Sequence, residues 1–295
     1  MTSSTRLSAT EPLPTFEKSR KTLFTHFGRV MRKLFLTILT IYALSLAAIW
    51  FGRFALIYPF NPAHITPINA GVPKISEHVF NSFDETPLIV WTKLPNGRKP
   101  TIVYFHGNAG NLAVRAQRFN RLVNRGYGLL AMAYRGSSGS KGKPSQSTIM
   151  QDAIYLVENK TKLGFSSKSP LIYYGESLGT GVAVQLANTQ PPKAIVLEAP
   201  YKSITDLAAA QMPFFPIRYI LDQRWNTLNA IKTVKVPLLV IHGQQDKLIP
   251  VAHGKAVFSA SPSPQKTLKV IETGHHEDLW SIEGQRAIFS FISKF

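Results

Sequence analysis

The stretch "LIYYGESLGTGVA", residues 171–183, decides the fold. It begins with an apolar and aromatic run typical of a buried β-strand and ends in a pattern typical of an α-helix. Ser177 stands between the two, flanked by Gly175 and Gly179 in G-x-S-x-G spacing. Glycines allow a strand to reverse into a helix within one tight turn, with the serine at its apex. The spacing therefore predicts a serine hydroxyl presented beside the N–H groups of a helix N-terminus, which attract developing negative charge.

Short apolar runs alternate with amphipathic stretches from residue 75 onward. Several runs are continuously apolar, as strands buried on both faces are. Strand–helix alternation of this kind predicts an α/β fold, with a mostly parallel sheet covered by helices on both faces. The predicted strands are 88–94, 101–105, 128–133, 171–174, 194–198, 237–242 and 267–271, and the predicted helices are 112–125, 147–160, 178–189, 251–259 and 279–293.

The stretch 200–235 breaks this alternation. It contains "LAAAQMPFFPIRYIL", in which two prolines interrupt an apolar sequence. Because proline ends or kinks helices, we expect short helices that form a small cap over the sheet edge. The alternative is a set of ordinary packing helices with no role in binding substrate.

Polar residues follow two later predicted strands, at the edge where parallel sheets bind ligands. Asp246 follows one strand, and the adjacent His275 and His276 follow the next. Serine becomes a strong nucleophile only when a base takes its proton, so we expect a histidine oriented by a carboxylate. His275 is favoured as the base because it directly follows Gly274, a turn residue, and Asp246 is favoured as its partner.

Alternatives stay open at these positions. His276 is the rival base, and Asp278 is a rival carboxylate close to both histidines in sequence. Asp246 could instead be a loop carboxylate that caps the following helix. No metal site is predicted in this segment, because adjacent side chains diverge and neither H-x-x-E-H nor H-E-x-x-H spacing is present.

The segment "YFHGNAGN", residues 104–111, follows another predicted strand. Acyl transfer requires N–H donors for the oxyanion that forms at the attacked carbonyl. Gly107 lets the backbone turn so that the N–H of Asn108 can face the serine, and the N–H of Leu178 would be the second donor. His106 is interpreted as a structural loop residue.

The N-terminal region predicts a membrane anchor. Residues 34–52 contain no charge, and nineteen helical residues span about 28 Å, close to the thickness of the hydrocarbon core. We therefore expect a transmembrane helix over 34–53, preceded by a basic, disordered tail over 1–33. Three basic residues precede the apolar run within "GRVMRK", and only Arg53 follows closely. This asymmetry predicts a cytoplasmic N-terminus and an extracytoplasmic main domain. A cleaved signal peptide and a buried core helix are the alternatives.

Composition limits the classes of function. The chain of 295 residues has no cysteine, which excludes disulfides, thiol catalysis and cysteine-based zinc sites. Its net charge of +18 raises nucleic acid as a partner. However, basic runs are confined to the N-terminal segment and no nucleic-acid motif is present, so no nucleic-acid partner is expected. Attraction to an anionic membrane surface accounts better for the excess charge.

Five motifs together resemble one family. "FHGNAGN", "YRGSSGSKGKPS", "GESLGTGVA", "VPLLVIHGQQDKLIP" and "GHHE" occur in this order between residues 70 and 295. The chain is similar to the α/β-hydrolase superfamily, and most similar to its Bem46-like branch, whose members often carry an N-terminal membrane segment. The resemblance implies Ser177 as nucleophile, Asp246 as acid and His275 as base, with no metal or organic cofactor. Two positions differ from the usual pattern of this branch. Ala133 stands where an acidic residue is common, and His276 stands where a small polar residue is usual.

The expected function is that of a serine hydrolase acting on an ester or thioester through an acyl-enzyme. Met212, Phe214 and Phe215 of the proposed cap, together with the membrane anchor, suggest a lipid-like acyl substrate. A serine peptidase of the prolyl-oligopeptidase type is one alternative, although the large N-terminal propeller of that type is missing. A non-catalytic, membrane-anchored binding protein on the same fold is the other.

Overall fold

The computed structural model describes residues 16–295. Its first element is the helix α1 (Phe16–Ile57). The stretch Leu23–Ile57 is long and apolar enough to cross a membrane. The disordered tail predicted for 1–33 differs from the structure, because 16–33 continue the helix while residues 1–15 lie outside the described residues. Apolar residues recur among the basic ones from Leu23 onward, so that helical periodicity extends beyond the uncharged run.

The described part of the chain divides into two compact units at Phe51 and Gly52. Within the second unit, one sheet of eight described strands has the order β1-β2-β4-β3-β5-β6-β7-β8. The strands β3 to β8 run parallel, whereas β2 is antiparallel to both of its neighbours. The strands are β1 (Ser76–Asn81), β2 (Pro87–Lys93), β3 (Thr101–Phe105), β4 (Gly128–Met132), β5 (Leu171–Glu176), β6 (Ala194–Glu198), β7 (Leu238–Gly243) and β8 (Lys266–Ile271).

The seven predicted strands are confirmed to within a few residues, and β1 is an addition. β1 lies at the sheet edge and leaves most of its residues exposed or half-buried. An edge strand of this kind lacks the continuous apolar run by which the other strands were recognised.

Helices fill the connections between strands from β3 onward, as the alternation predicts. In the stretch 200–235, three short α-helices and the 3₁₀ helix Ile231–Thr233 stand in place of a single long helix. The further helices are α2 (Ala116–Asn124), α3 (Gln146–Glu158), α4 (Leu178–Thr189), α5 (Ile204–Gln211), α6 (Ile217–Ile220), α7 (Thr227–Ala230), α8 (Val251–Ala260) and α9 (Ile282–Ile292).

The register of the central strands brings the functional loops together. Phe105 at the end of β3 pairs with Gly175 in β5, and Glu176 pairs with Glu198 at the end of β6. Glu198 in turn pairs with Ile241 in β7. The carboxyl ends of these strands therefore lie side by side, and the loops that follow them meet at one edge of the sheet.

Candidate active site

Ser177 occupies the turn between β5 and α4 in a strained backbone conformation. Its φ of 50° and ψ of −114° are uncommon for any residue other than glycine. The turn is held by backbone bonds, since Ser177 N–H donates to the carbonyl of Glu198 at 2.8 Å and Thr180 N–H donates to the carbonyl of Ser177 at 2.9 Å. The surrounding structure thus imposes the conformation that presents the hydroxyl.

The glycines of the motif are required by close backbone approach. A Cβ placed on Gly179 would collide with the carbonyl oxygen of Phe105, and one placed on Gly175 would collide with the carbonyl oxygen of Gly179. Both obstacles are backbone atoms, which cannot rotate away. The helix can therefore begin directly against the ends of β3 and β5 only if these two positions carry no side chain.

A chain of two hydrogen bonds links three distant loops. The Ser177 hydroxyl donates to Nε2 of His276 at 3.0 Å, and Nδ1 of His276 donates to Oδ2 of Asp246 at 2.8 Å. The Ser177 and Asp246 positions agree with the sequence expectation. The histidine differs, because the structure brings His276 and not His275 to the serine.

Local bonding explains why His275 lies elsewhere. Its backbone N–H donates to Oδ1 of Asp278 at 2.7 Å, and its Nδ1 lies 3.1 Å from Oδ2 of the same carboxylate. This contact holds the His275 ring outward, with its side chain 57% exposed, whereas the His276 side chain is 16% exposed. Asp278, three residues after His275, was the available signal: a carboxylate at that spacing readily bonds back to the preceding backbone.

Asp246 is buried, and hydrogen bonds to both of its carboxylate oxygens fix its orientation. Its Oδ1 accepts the backbone N–H groups of Leu248 and Ile249 at 2.9 and 2.7 Å, which leaves Oδ2 for His276. Burial acts to raise the pKa of Asp246, but the neighbouring His242 ring and hydrogen bonds from His276 and the Ile249 backbone outweigh it and hold the pKa below its usual range. The carboxylate is therefore ionised at neutral pH.

Burial and hydrogen bonding also act in opposite directions on the pKa of His276. Burial disfavours its charged form, but the hydrogen bond and the charge of Asp246 outweigh burial. The more distant carboxylates of Glu176 and Glu198 add to this attraction. The net result is a pKa of His276 raised above the usual 6.5, which makes the ring a stronger base.

A cavity of about 490 Å³ opens on Ser177 and His276. The loop after β3 forms one wall, and a Cβ placed on Gly107 would lie 3.4 Å from the Cβ of Ser177. Other lining residues are both polar and apolar: Asn108, Ala109, Gly110, Val114, Arg115, Gln117, Arg118, Glu176, Glu198, Ala199, Leu248, Glu277 and Trp280. Asn108, one of the two expected oxyanion donors, lines this cavity, and Leu178, the other, directly follows Ser177 in sequence.

A network of charged side chains that lines the cavity was not identified from the sequence. Arg118 donates to both carboxylate oxygens of Glu198 at 3.0 Å and to the Tyr104 hydroxyl at 2.6 Å. That hydroxyl donates in turn to Glu176 at 2.6 Å. Burial acts to raise the pKa of Glu176, but Arg115 and Arg118 outweigh it and hold the pKa below its usual range. The charges thus neutralise one another. Glu176 in the G-x-S-x-G motif was the one visible signal.

The three cap residues expected to bind substrate do not line this cavity. Phe215 lines a separate cavity beside Lys202, Phe214 is 86% exposed, and Met212 lines neither of the two cavities. The expectation that these residues contact a substrate at Ser177 is therefore not supported by the geometry. Proline interruptions predicted a cap but carry no information about where its side chains point. Within residues 16–295, no cluster of three or more His, Asp or Glu residues could hold a metal ion.

Comparisons with known proteins agree with this architecture. A family model described as "Serine aminopeptidase, S33" matches residues 97–230 and 218–281. Uncharacterized protein YfhR of Escherichia coli K12 is 30% identical over 215 residues, which cover 68% of this chain and 73% of YfhR. Lysophosphatidylserine lipase ABHD12 of Xenopus tropicalis is 33% identical over 205 residues, which cover 61% of this chain and 52% of ABHD12.

Among solved structures, the esterase Pf2001 of Pyrococcus furiosus has the same fold, with a TM-score of 0.65 at 20% identity. The alignment covers 79% of this chain and 96% of the esterase. Similar relatives such as YfhR and ABHD12 are consistent with the Bem46-like branch that the motifs resemble. The family model spans more than half of the chain, and together with the sheet and the turn at Ser177 it shows that this chain belongs to the α/β-hydrolase superfamily.

Proposed function

We propose that this hydrolase is a serine hydrolase in which Ser177, His276 and Asp246 form the catalytic triad. The observation that supports this proposal is the pair of hydrogen bonds at 3.0 and 2.8 Å that connects the three side chains. The residues come from three loops separated widely in sequence. Convergence of a hydroxyl, an imidazole and an ionised carboxylate in this order is the arrangement that activates a serine.

The proposed cycle follows from the roles of these atoms. Nε2 of His276 accepts the proton of Ser177 Oγ as the oxygen attacks the carbonyl carbon of an ester. Asp246 keeps the proton of His276 on Nδ1 and stabilises the imidazolium that forms. His276 then gives the proton from Nε2 to the leaving alcohol, and an acyl-enzyme remains on Ser177. Water, deprotonated by His276, attacks the acyl carbon, and the bond from that carbon to Ser177 Oγ breaks as His276 returns the proton to Oγ and the acid leaves.

The oxyanion donors in this proposal are the backbone N–H groups of Asn108 and Leu178. Asn108 lines the cavity beside Ser177, and Leu178 begins the helix that follows it. Loss of one such donor typically lowers kcat by about 10²-fold to 10³-fold. Because both donors belong to the backbone, replacement of the Asn108 side chain alone leaves the donor in place.

The triad is tested by active-site labelling. We expect a fluorophosphonate probe to label the full chain in detergent and to leave the Ser177→Ala variant unlabelled. Ser167→Ala, a change at an exposed serine, is the matched control and should be labelled as the wild type is. Absence of labelling in the wild type would favour the alternative of a non-catalytic binding protein.

The proposed substrate class is a lipid-like ester. Support comes from the apolar helix α1, which is long enough to cross a membrane, and from the similarity to a lysophosphatidylserine lipase. Val114 and Leu248 add exposed apolar surface to the cavity that contains Ser177. An acyl chain could pack on these side chains while its carboxyl carbon reaches Ser177. Thioesters have the same requirement for an activated serine and belong to the same proposal.

A second candidate is hydrolysis of a peptide bond near a free amino terminus. The description of the matching family model, "Serine aminopeptidase, S33", favours it. So does the exposed carboxylate of Glu277, which lines the cavity and could bind an ammonium group. Prolyl-oligopeptidase-type chemistry would use the same triad.

A substrate panel separates the two candidates. Monoacylglycerols or lysophospholipids of increasing chain length would be compared with aminoacyl anilides by kcat/KM. The lipid proposal expects kcat/KM to increase with acyl chain length. A clear preference for the anilides, or equal rates for short and long esters, would contradict it.

We also propose that α1 anchors the protein with its N-terminus in the cytoplasm. The second unit, Gly52–Phe295, which we call the hydrolase unit, would then lie on the other side of the membrane. The basic residues before the apolar run support this orientation. Protease added outside sealed right-side-out vesicles should then digest the hydrolase unit. Full protection of that unit until the membrane is lysed would reverse the assignment.

A further inference from the structure

Arg115 is a buried side chain that holds the loop following β3. It ends the short 3₁₀ turn Leu112–Arg115 and is 7% exposed. Its Nη1 donates to the backbone carbonyl of Ala109 at 2.9 Å and to that of Asn111 at 3.0 Å. One nitrogen therefore binds the loop on the C-terminal side of Asn108, the residue whose N–H is the proposed oxyanion donor.

The other two nitrogens of the same guanidinium bind the residue before the nucleophile. Nε and Nη2 of Arg115 each donate to one carboxylate oxygen of Glu176 at 2.8 Å. Glu176 is directly bonded to Ser177 in sequence. A single planar group thus connects the loop that carries Asn108 to the turn that carries the serine.

The space between these two segments is closely packed. A Cβ placed on Gly107 would lie 3.3 Å from Nη2 of Arg115, 3.3 Å from Oε1 of Glu176 and 3.4 Å from the Cβ of Ser177. The ion pair therefore supports the backbone of the loop at the point where it passes the nucleophile. Its contacts are directional hydrogen bonds, so they determine position as well as distance.

We propose that Arg115, through its paired bonds to Glu176, is a positioning residue that holds the N–H of Asn108 at the correct distance from Ser177. This inference rests on the proposed serine-hydrolase function and names a residue outside the triad and the oxyanion donors. Arg115 acts through the loop and not by contact with the reacting atoms. Donors stabilise an oxyanion only when they are held in place before the reaction, and a displacement of about 1 Å can cost 10²-fold in rate.

The geometry requires an arginine. Three of its nitrogens are used at once, two toward Glu176 and one toward two carbonyl groups. A lysine retains the charge but offers a single nitrogen, which cannot span both segments. Arg115→Lys is therefore expected to behave more like Arg115→Met than like the wild type.

The test measures kcat, KM and labelling rate separately. The full chain in detergent would be assayed with a short nitrophenyl ester and, independently, for its rate of inactivation by a fluorophosphonate, whose reaction also places negative charge on an oxygen beside Ser177. For Arg115→Met we expect kcat to fall by about 10²-fold and KM to change by less than about 3-fold. The rate of inactivation should fall in parallel with kcat.

Two further measurements distinguish positioning from a general loss of structure. Millimolar guanidinium should restore part of the kcat of Arg115→Ala, whereas methylammonium should not. The kcat of the double variant Arg115→Met/Glu176→Gln should fall by less than the product of the fold-losses in the two single variants, because both changes break the same ion pair. Arg121→Ala, at an exposed arginine of α2, is the matched control and should retain wild-type kinetics.

The possible results separate the positioning role of Arg115 from the proposed serine-hydrolase function. An active wild type whose Arg115→Met variant keeps kcat within about 3-fold would overturn the positioning role alone. A rise in KM at constant kcat would also overturn it, since that result indicates substrate binding. If the Arg115 variants fail to fold, Glu176→Gln is measured instead. A kcat of Glu176→Gln within about 3-fold of the wild type would then overturn the positioning role. A wild type that neither reacts with esters nor accepts the probe would instead overturn the proposed function.

Discussion

The loops at the strand ends and the helical insertion over 200–235 are held in different ways. Ser177, Asp246 and His276 are fixed by hydrogen bonds to one another and to backbone groups, and α4 behind the serine is almost entirely buried. In the insertion, α5 has no buried residue, and Phe214 and Tyr219 are largely exposed. The comparison teaches that geometry at the sheet edge is over-determined, whereas α5 and the loop 212–216 after it contain only half-buried or exposed residues. Changes at the sheet edge should affect chemistry, and changes in this exposed part of the insertion should not.

The largest expected effect separates the two adjacent histidines. His276→Ala removes the proposed base and should lower kcat by about 10⁵-fold to 10⁶-fold, as loss of a triad histidine does elsewhere. His275→Ala removes an exposed ring bound only to its own loop and should change kcat by less than about 3-fold. Steady-state kinetics on a short ester would measure both. Equal losses in the two variants would contradict the assignment of His276.

The next largest effect on kcat is expected for Asp246, the carboxylate that binds His276. Asp246→Asn keeps the shape of the side chain but removes its charge, so that it no longer stabilises the imidazolium. We expect kcat to fall by about 10⁴-fold. Asp278→Asn is the matched control at the carboxylate that binds His275, and it should stay close to the wild type. A larger loss for Asp278→Asn than for Asp246→Asn would reverse their roles.

The pH dependence of the wild type sharpens the same assignment. Only the neutral form of His276 can accept the serine proton, so kcat/KM should rise as pH increases through the pKa of His276 in the free enzyme. The structure raises that pKa above 6.5, chiefly because Asp246 outweighs the cost of burial. Measured residual activity of Asp246→Asn should therefore rise at a lower pH than that of the wild type. A midpoint unchanged by this substitution would show that another group titrates.

A smaller effect, on stability, tests the close packing of the turn. Gly179→Ala places a methyl group against the carbonyl of Phe105, and the backbone must shift to accept it. We expect the free energy of unfolding to fall by about 3 kcal/mol, near the upper end for overpacking. Gly52→Ala, where no atom outside the helix's own nearby backbone lies within 4 Å of the new methyl group, should be neutral or slightly stabilising. Denaturant unfolding of the detergent-solubilised chain measures both, and similar stability of both variants would contradict the tight turn.

The smallest effect is expected in the insertion. Phe214→Ser changes a side chain that is 86% exposed and does not line the cavity of Ser177. Stability should change by less than about 0.5 kcal/mol, and short-ester kinetics should stay within experimental error. A loss of kcat on short esters would break the comparison, because it would mean that the insertion reaches the reacting atoms.

Much of the fold was accessible from local patterns. The central strands are apolar throughout because helices cover both of their faces, and that pattern is visible without any structure. β1 was not recognised, since an edge strand with exposed residues has no such pattern. The helix over 16–33 was not recognised because its charges suggest a solvated tail, although apolar residues recur among them.

The sequence by itself determined the turn at Ser177, the order of strands and helices along the chain, and the position of Asp246 shortly after a strand, because each depends on residues close together in the chain. Tertiary structure decided which histidine meets the serine, where the aromatic residues of the insertion lie, and how Arg115 and Glu176 come together. Those outcomes depend on contacts between segments distant in sequence. His275 and His276 are chemically identical, and only the competition between Asp278 nearby and Asp246 across the sheet edge distinguishes them.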